Sequence, residues 1–423
     1  MGERTAATAH GGTERQVGPT TGVRTPAFRR LTAAWVISLV GDGVRMAALP
    51  LFTAVFTRDP LAVSAVAIAE TLPWLLVALP AGALVDRLRP RAVVAVTHAL
   101  RAVLTGVLAL AVATGQVSVV LLVVLAFALT AAETFADSAS QLLLVELAGP
   151  DDLEEANSRF FSAETAGMDL AGPLAASAVF AWEPALCFAL DAASFVLAAV
   201  LVAGLPDVVP QRDTENESVP LRTRIVEGAG YLVRHPGLRV LVSVVVVSAA
   251  SASAVNAVSA LYAIEELHMP EALVPLLMVA MALGTLGGAR VVGILTRRLG
   301  EGWSMITGLG LVAAGFGVLG LLHHPVPGAL AYLVVGFGVG VWNVLSATRR
   351  QRLTPPHMMG RVSSCYRVLA WGLMPLGAGV AGPVAAGFSL SAVFLLAGGL
   401  VAVVTLVAGR GLLRTTPEAA PAT

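Results

Sequence analysis

The feature that most constrains this chain is a rhythm of long apolar runs with few charges, parted by short polar connections whose only basic residue type other than His is arginine. An α-helix needs about 20 apolar residues to cross the hydrocarbon core of a bilayer. Such runs occupy roughly 31–56, 62–84, 92–113, 117–140, 157–181, 184–205, 238–263, 272–295, 303–322, 328–348, 360–387 and 390–412. Several contain Gly and Pro, which spanning helices tolerate better than soluble ones. With 57% hydrophobic and 13% charged residues the chain has too little polar surface for a soluble protein, in which about a quarter of residues are charged. The expected fold class is an all-α integral membrane protein with twelve transmembrane helices.

Arginine placement sets the expected orientation, because cytoplasmic loops are enriched in basic residues. With both termini inside, every arginine outside the spans falls on the cytoplasmic side except Arg58. Arg45, Arg101, Arg290 and Arg367 lie within spans. The longest polar connection, 206–237, divides the spans six and six, and its second part reads as an amphipathic helix on the inner surface. The expected division is a disordered cytoplasmic tail (1–28), a six-helix bundle (29–205), the central loop (206–237), a second bundle (238–413) and a short tail (414–423). Two halves of this kind place a cavity between them near mid-membrane.

Several function classes are excluded or disfavoured. The chain has no Lys, so it has no phosphate-binding Gly-x-x-x-x-Gly-Lys-Ser/Thr loop. ATP hydrolysis by that route is excluded, and the expected drive is a proton gradient with no cofactor. Zero net charge gives no sign of nucleic-acid binding. Cys187 and Cys365 form no metal spacing and no disulfide framework, and no metal site is expected. The first residues have no apolar stretch of a signal peptide. No nucleophile elbow or Ser/His/Asp set points to an enzyme. The expected partners are a small organic substrate and the bilayer, with the chain acting as a monomer in the cell membrane.

Ionisable groups inside a bilayer are costly, so each is a functional candidate. Asp42 and Arg45 lie three apart on one face of the first span and can pair. Glu70 has no partner nearby in sequence; it is a proton carrier or a residue facing water at the outer end. Glu133 and Asp137 share a face of the fourth span. Glu133 is assigned to the cavity, and Asp137 to a salt bridge near the inner end with Arg87 or Arg91. Asp169, deep in the fifth span, is a cavity candidate, as are Asn256, Asn343 and Arg367 for the second half. Glu164 faces another side of the fifth span, and Asp191 reads as structural. His98 and Arg101 read as a snorkelling pair near the inner leaflet. His323 and His324 read as a surface pair.

Some stretches go further and resemble a known family. Gly82, Asp86, Arg87 and Arg91 match the loop signature after the second helix of major facilitator superfamily transporters, Gly-x-x-x-Asp-Arg-x-Gly-Arg-Arg, with Arg89 and Pro90 replacing Gly and Arg. Ser38–Gly43 with Ala48–Leu51, Ala132–Thr134, Asn157-Ser158, Ala171–Pro173, Leu190–Phe195, Gly360–Val362, Tyr366-Arg367 and Pro375–Gly377 resemble the twelve-span exporters similar to macrolide-efflux and enterobactin-export proteins. Gly172 and Pro173 fall where antiporters of this kind carry a Gly/Pro-rich motif, although Ala176 and Ser177 replace two of its glycines. The resemblance implies two bundles around a central cavity and proton-coupled efflux of a small amphipathic drug or natural product. Uptake, or movement of a lipid-like molecule, is the alternative. A membrane enzyme or a sensor is more remote. It also implies that the Gly82–Arg91 loop is a gate.

Overall fold

The computed structural model describes residues 21–85, 87–207, 221–355 and 358–414. The expectations for residues 1–20, Asp86, 208–220 and 415–423 lie outside the described residues. The described residues are helical, with one π segment, one short 3-10 turn and no strand among them. Among the described residues ten helices are long and apolar enough to cross a bilayer: Pro26–Thr57, Pro90–Ala113, Val119–Ala148, Pro184–Ala203, Pro236–Glu265, Glu271–Leu299, Glu301–Leu321, Pro325–Leu353, Met359–Gly387 and Leu390–Leu413. We number these spans 1, 3, 4, 6, 7, 8, 9, 10, 11 and 12.

Spans 2 and 5 are assembled from shorter pieces. Span 2 is Pro60–Leu76 followed by Ala78–Val85, with the break at Val77. Its Pro73 lies within the first piece, and the Val77 N–H closes back on the Pro73 carbonyl. Span 5 runs Leu153–Glu164, a π segment Thr165–Ala171, then Gly172–Phe180. Pro173 lacks an N–H and crowds the carbonyl one turn before it, and the wider π turn relieves that clash. The Gly172 N–H accordingly reaches back five residues to the Gly167 carbonyl.

Helix starts follow local chemistry. Pro26, Pro60, Pro90, Pro184, Pro236 and Pro325 all open helices, where a missing N–H costs nothing. Thr25, Asp59, Ser118 and Ser389 cap first turns with side-chain oxygens. These polar first turns explain why several helices start ahead of their apolar runs. Span 1 begins at Pro26 instead of 31, inside the stretch expected to be a tail, and span 4 runs on to Ala148 instead of 140.

Spans 1 to 6 pack chiefly among themselves, as do spans 7 to 12; the halves meet where span 2 lies on spans 11 and 7, span 5 on span 8 and span 1 on span 7. Close backbone contact marks several helix seams, and two of them frame the bundle's first and second halves. A Cβ on Gly284 or Gly288 would lie 2.1 Å from the Leu333 or Phe337 carbonyl oxygen of span 10, and one on Gly336 or Gly340 would meet span 8 as closely. Small residues four apart let lipid-embedded helices approach in this way. The second seam joins spans 1 and 5, where a Cβ on Gly172 would fall 2.4 Å from the Gly43 Cα.

The halves are tied at one end. Arg58 Nη1 donates to Glu265 Oε1 at 2.8 Å, and the Ser177 hydroxyl donates to the Ala272 carbonyl at 2.5 Å. Gly382 of span 11 packs onto Ser64 and the Pro60 carbonyl. These ties lie at the end away from the arginine-rich loops. Deeper between the halves, Trp74 and Trp371 meet edge to face at 5.2 Å.

Candidate functional site

The only bulky polar side chains in the middle of span 1 are Asp42 and Arg45, and both are turned inward, 5% and 2% exposed. The glycines flanking Asp42 make this possible. A Cβ on Gly41 would collide with Ser194 and with Asp191 Oδ1 of span 6, and one on Gly43 would collide with the Met168 carbonyl of span 5. Spans 5 and 6 therefore press against span 1 on either side of Asp42, and Arg45 lies one turn further on.

Arg45 is the hub of the charged cluster. Its Nη2 donates to Asp42 Oδ1 at 3.0 Å and to Glu133 Oε2 of span 4 at 3.2 Å. Its Nη1 stands 4.0 Å from Glu70 Oε1 of span 2, and its Nε 3.5 Å from Asp191 Oδ2. Arg101 of span 3 supplies the second guanidinium, donating through Nη2 to Asp42 Oδ1 and, at 3.2 Å, to Glu133 Oε2. Its guanidinium carbon lies 4.1 Å from the Phe195 ring centroid. His98 stacks beside the same ring at 5.7 Å. A cation over an aromatic face is attracted to its quadrupole, so Phe195 holds Arg101 flat beneath the carboxylates.

Four carboxylates thus share two guanidiniums. Burying charges is offset only when they are paired with good geometry. The cluster meets that condition for Asp42 and Glu133, which each contact both arginines, and less closely for Glu70 and Asp191, which reach Arg45 alone. Access to solvent is graded. The Glu70 and Glu133 side chains keep 21% and 15% of their surface, whereas Asp191 keeps none. Glu70 and Glu133 are the members through which the cluster can exchange with a ligand or water.

Several sequence assignments are corrected here. Glu70 is neither unpartnered nor at an outer, water-facing end, because span 2 carries it to Arg45. Arg101 is not a snorkelling residue; at 2% exposed it is as buried as Arg45. Asp191, expected to be structural, is the fourth carboxylate of the cluster. Asp137 is exposed and has no ion pair with Arg87 or Arg91. Arg91 instead donates to the Leu205 carbonyl at 2.6 Å and pairs with Asp207 at 3.0 Å, while Arg89 lies 3.6 Å from Asp207. His323 and His324 are both exposed, as expected of a surface pair, with His323 Nε2 2.9 Å from the Ser391 hydroxyl and His324 capping span 10 through the Val326 N–H.

Asp169, Asn256, Asn343 and Arg367 are all exposed and stand apart from the cluster. Gly82 has no heavy atom within 4 Å of where its Cβ would be, and Arg87 is exposed. Gly172 and Pro173, in contrast, shape the site directly by bringing span 5 against Gly43. No group of three His, Cys, Asp or Glu with metal-binding geometry occurs among the described residues.

Comparison with known proteins places this geometry. A model of the Major Facilitator Superfamily matches residues 31–378. The chain is 30% identical over 382 residues to the multidrug efflux pump Tap of Mycolicibacterium fortuitum, covering 87% of this chain and 90% of that protein. It is 27% identical to the uncharacterized MFS-type transporter y4rN of Sinorhizobium fredii, covering 96% and 99% of the two. Among solved structures, the nucleoside transporter NupG superimposes with a TM-score of 0.74 at 14% identity, over 92% of this chain and all of that one. A bacterial homologue of the iron transporter ferroportin, in its inward-facing state, gives 0.70 at 18% identity, over 90% and 98%.

Proposed function

The chain belongs to the Major Facilitator Superfamily, and from that premise we propose that it is a proton-coupled exporter of a small amphipathic molecule, working by alternating access. The observation that carries this reading is the buried cluster in which four carboxylates share two guanidiniums. The surplus negative charge has to be balanced by something that comes and goes, either a proton or a polar group of the substrate. Competition for one set of carboxylates couples the two fluxes, since each ligand shifts the population of states the other binds. Efflux, instead of uptake, is supported by the relative Tap, whose name describes a multidrug efflux pump.

The rest of the reading concerns placement. The protein sits in the cell membrane as a monomer, with both termini and the Arg87–Arg91 loop cytoplasmic, in keeping with the arginine distribution. The ties between Arg58 and Glu265 and between Ser177 and Ala272 then close the outer end, which supports a state ready to load from the cytoplasm. The Gly82–Arg91 loop acts as the inner gate. In this state Arg89 and Arg91 are held on Asp207 of their own half and are free of the other.

The test is transport of a panel of fluorescent amphipathic compounds into everted vesicles, or across proteoliposomes, with an imposed proton gradient. Efflux is expected to stop when the gradient is collapsed, and Glu133→Gln to lose gradient-driven flux while still binding compound. Efflux that is indifferent to the gradient overturns the coupling.

A further inference from the structure

Span 7 is preceded by a helix, Leu221–Arg234, that folds back on the first turns of span 11. The contact is tight: a Cβ on Gly228 would lie 2.7 Å from the Arg361 carbonyl oxygen and 2.9 Å from Cys365 Sγ. Arg361 Nη1 donates to Glu227 Oε2 at 2.5 Å, and the Tyr231 hydroxyl donates to the Leu353 carbonyl at 3.1 Å. Between the two helices lies an open cavity of about 810 Å³, lined among others by Gly230, Arg234, His235, Pro236, Met358 and Arg361.

The polar groups left over in this cavity are donors. Its one carboxylate, Glu227, is already neutralised by Arg361. Arg234 is exposed and makes no ion pair among the described residues. His235 caps span 7 by accepting the Leu238 N–H on Nδ1 at 3.4 Å. A neutral imidazole that accepts at Nδ1 carries its proton on Nε2, so that nitrogen is a donor. The cavity therefore offers a free guanidinium, an imidazole N–H and the unused N–H groups of Arg361, which together suit an anion.

Its depth says which anion. Pro236 is the first residue of span 7, and Met358 immediately precedes span 11. Both spans begin here, at the arginine-rich end, so the cavity lies where helices emerge from the hydrocarbon into the headgroup layer. Pro236 and Met358 give the lining an apolar edge, and Val233, next to Arg234 in the chain, is 62% exposed. A basic pocket with an apolar edge at this level is how membrane proteins hold acidic lipids.

We propose that this cavity binds the phosphate of an anionic phospholipid headgroup from the surrounding bilayer. Arg234 and His235 Nε2 donate to its oxygens, and Val233 rests at the acyl boundary. The lipid then clamps the helix before span 7 against span 11. This site is separate from the charged cluster of spans 1 to 6 and does not depend on the direction of transport.

The test is native mass spectrometry and lipid titration of the purified full-length protein, with phosphatidylglycerol against phosphatidylcholine. Arg234→Gln is compared with Arg410→Gln, an exposed arginine at the same end but outside the cavity. Saturable binding that favours phosphatidylglycerol is expected, weakened about fivefold by Arg234→Gln and little by Arg410→Gln. Arg234→Gln should elute from size exclusion as the parent does; a folded Arg234→Ala variant serves the same comparison if it does not. Equal weakening by the two Gln variants, equal binding of phosphatidylcholine, or inorganic phosphate binding as tightly as the lipid overturns the proposal.

Discussion

Arg101→Met is the sharpest probe of the charged cluster, because it keeps the bulk of the side chain and removes one of two shared cations. Arg101 and Glu133 stand 3.2 Å apart. At an effective dielectric of about 20, one unit-charge pair at that distance is worth about 5 kcal/mol before desolvation is counted. Removing one partner of a buried pair costs about 3–5 kcal/mol net, because the other charge is left without compensation. Arg45 remains, and would then face Asp42, Glu133, Asp191 and Glu70 alone. Asp42→Asn in the Arg101→Met background removes one of the two carboxylates that both arginines shared. That second change should recover about 1–3 kcal/mol, the coupling typical of residues in one network. The assay is thermal loss of monodisperse protein in one detergent at one pH, with the double variant falling between the parent and Arg101→Met. An Arg101→Met protein as stable as the parent, or a double variant less stable than Arg101→Met, would refute the account of two cations holding four carboxylates.

Three further outcomes are expected. Gly172→Ala puts a Cβ 2.4 Å from the Gly43 Cα, a backbone atom that cannot turn aside, so it should cost about 1–3 kcal/mol or more and lower efflux; a melt equal to the parent's would show that the seam between spans 1 and 5 is loose. Glu265→Gln breaks a half-exposed ion pair worth at most about 1 kcal/mol, so the melt should barely move, yet a cysteine placed at Ser177 should label faster as that end opens; unchanged labelling makes the pair incidental. Gly82→Ala adds a methyl group where no atom lies within 4 Å, inside a helix that favours Ala by about 1 kcal/mol, so the protein should be at least as stable. Lost efflux with an intact melt would mean that the other conformational state needs this glycine, and intact efflux would remove the loop from the gating scheme.

How much of this was legible in the sequence differs between the fold and the site. Length and apolarity alone were enough to find all twelve spans, because a bilayer accepts only helices whose backbone groups are satisfied internally. Their ends were less legible, since Thr25-Pro26 and Asp59-Pro60 start helices in polar sequence that hydropathy assigns to tails and loops. In the site, the Asp42–Arg45 pair was readable from spacing on one helix. Arg101, Asp191 and Glu70 were not, because their partner lies on another span and helix rotation decides which face turns inward. Arg101 still carried a usable signal: an arginine deep within an apolar run is a functional candidate before it is a snorkelling one. Phe195 carried none, since only the fold shows which cation lies over its ring.

The distribution of charge between the halves gives the cluster its mechanical setting. Its members come from spans 1, 2, 3, 4 and 6, and span 5 enters through the contact of Gly172 with Gly43. The second half presents Asn256, Asn343 and Arg367 as separate exposed residues. Spans 2 and 5 also make most of the first half's contact with the second, at spans 11, 7 and 8. Glu70, the cluster's loosest carboxylate at 4.0 Å from Arg45, sits on span 2, and Asp42 sits beside the glycine that seats span 5. A proton or ligand that changed the charge of the cluster would act first on those two helices. Chemistry confined to one half can in this way bear on the interface between both, because spans 2 and 5 supply most of that half's contact with the other.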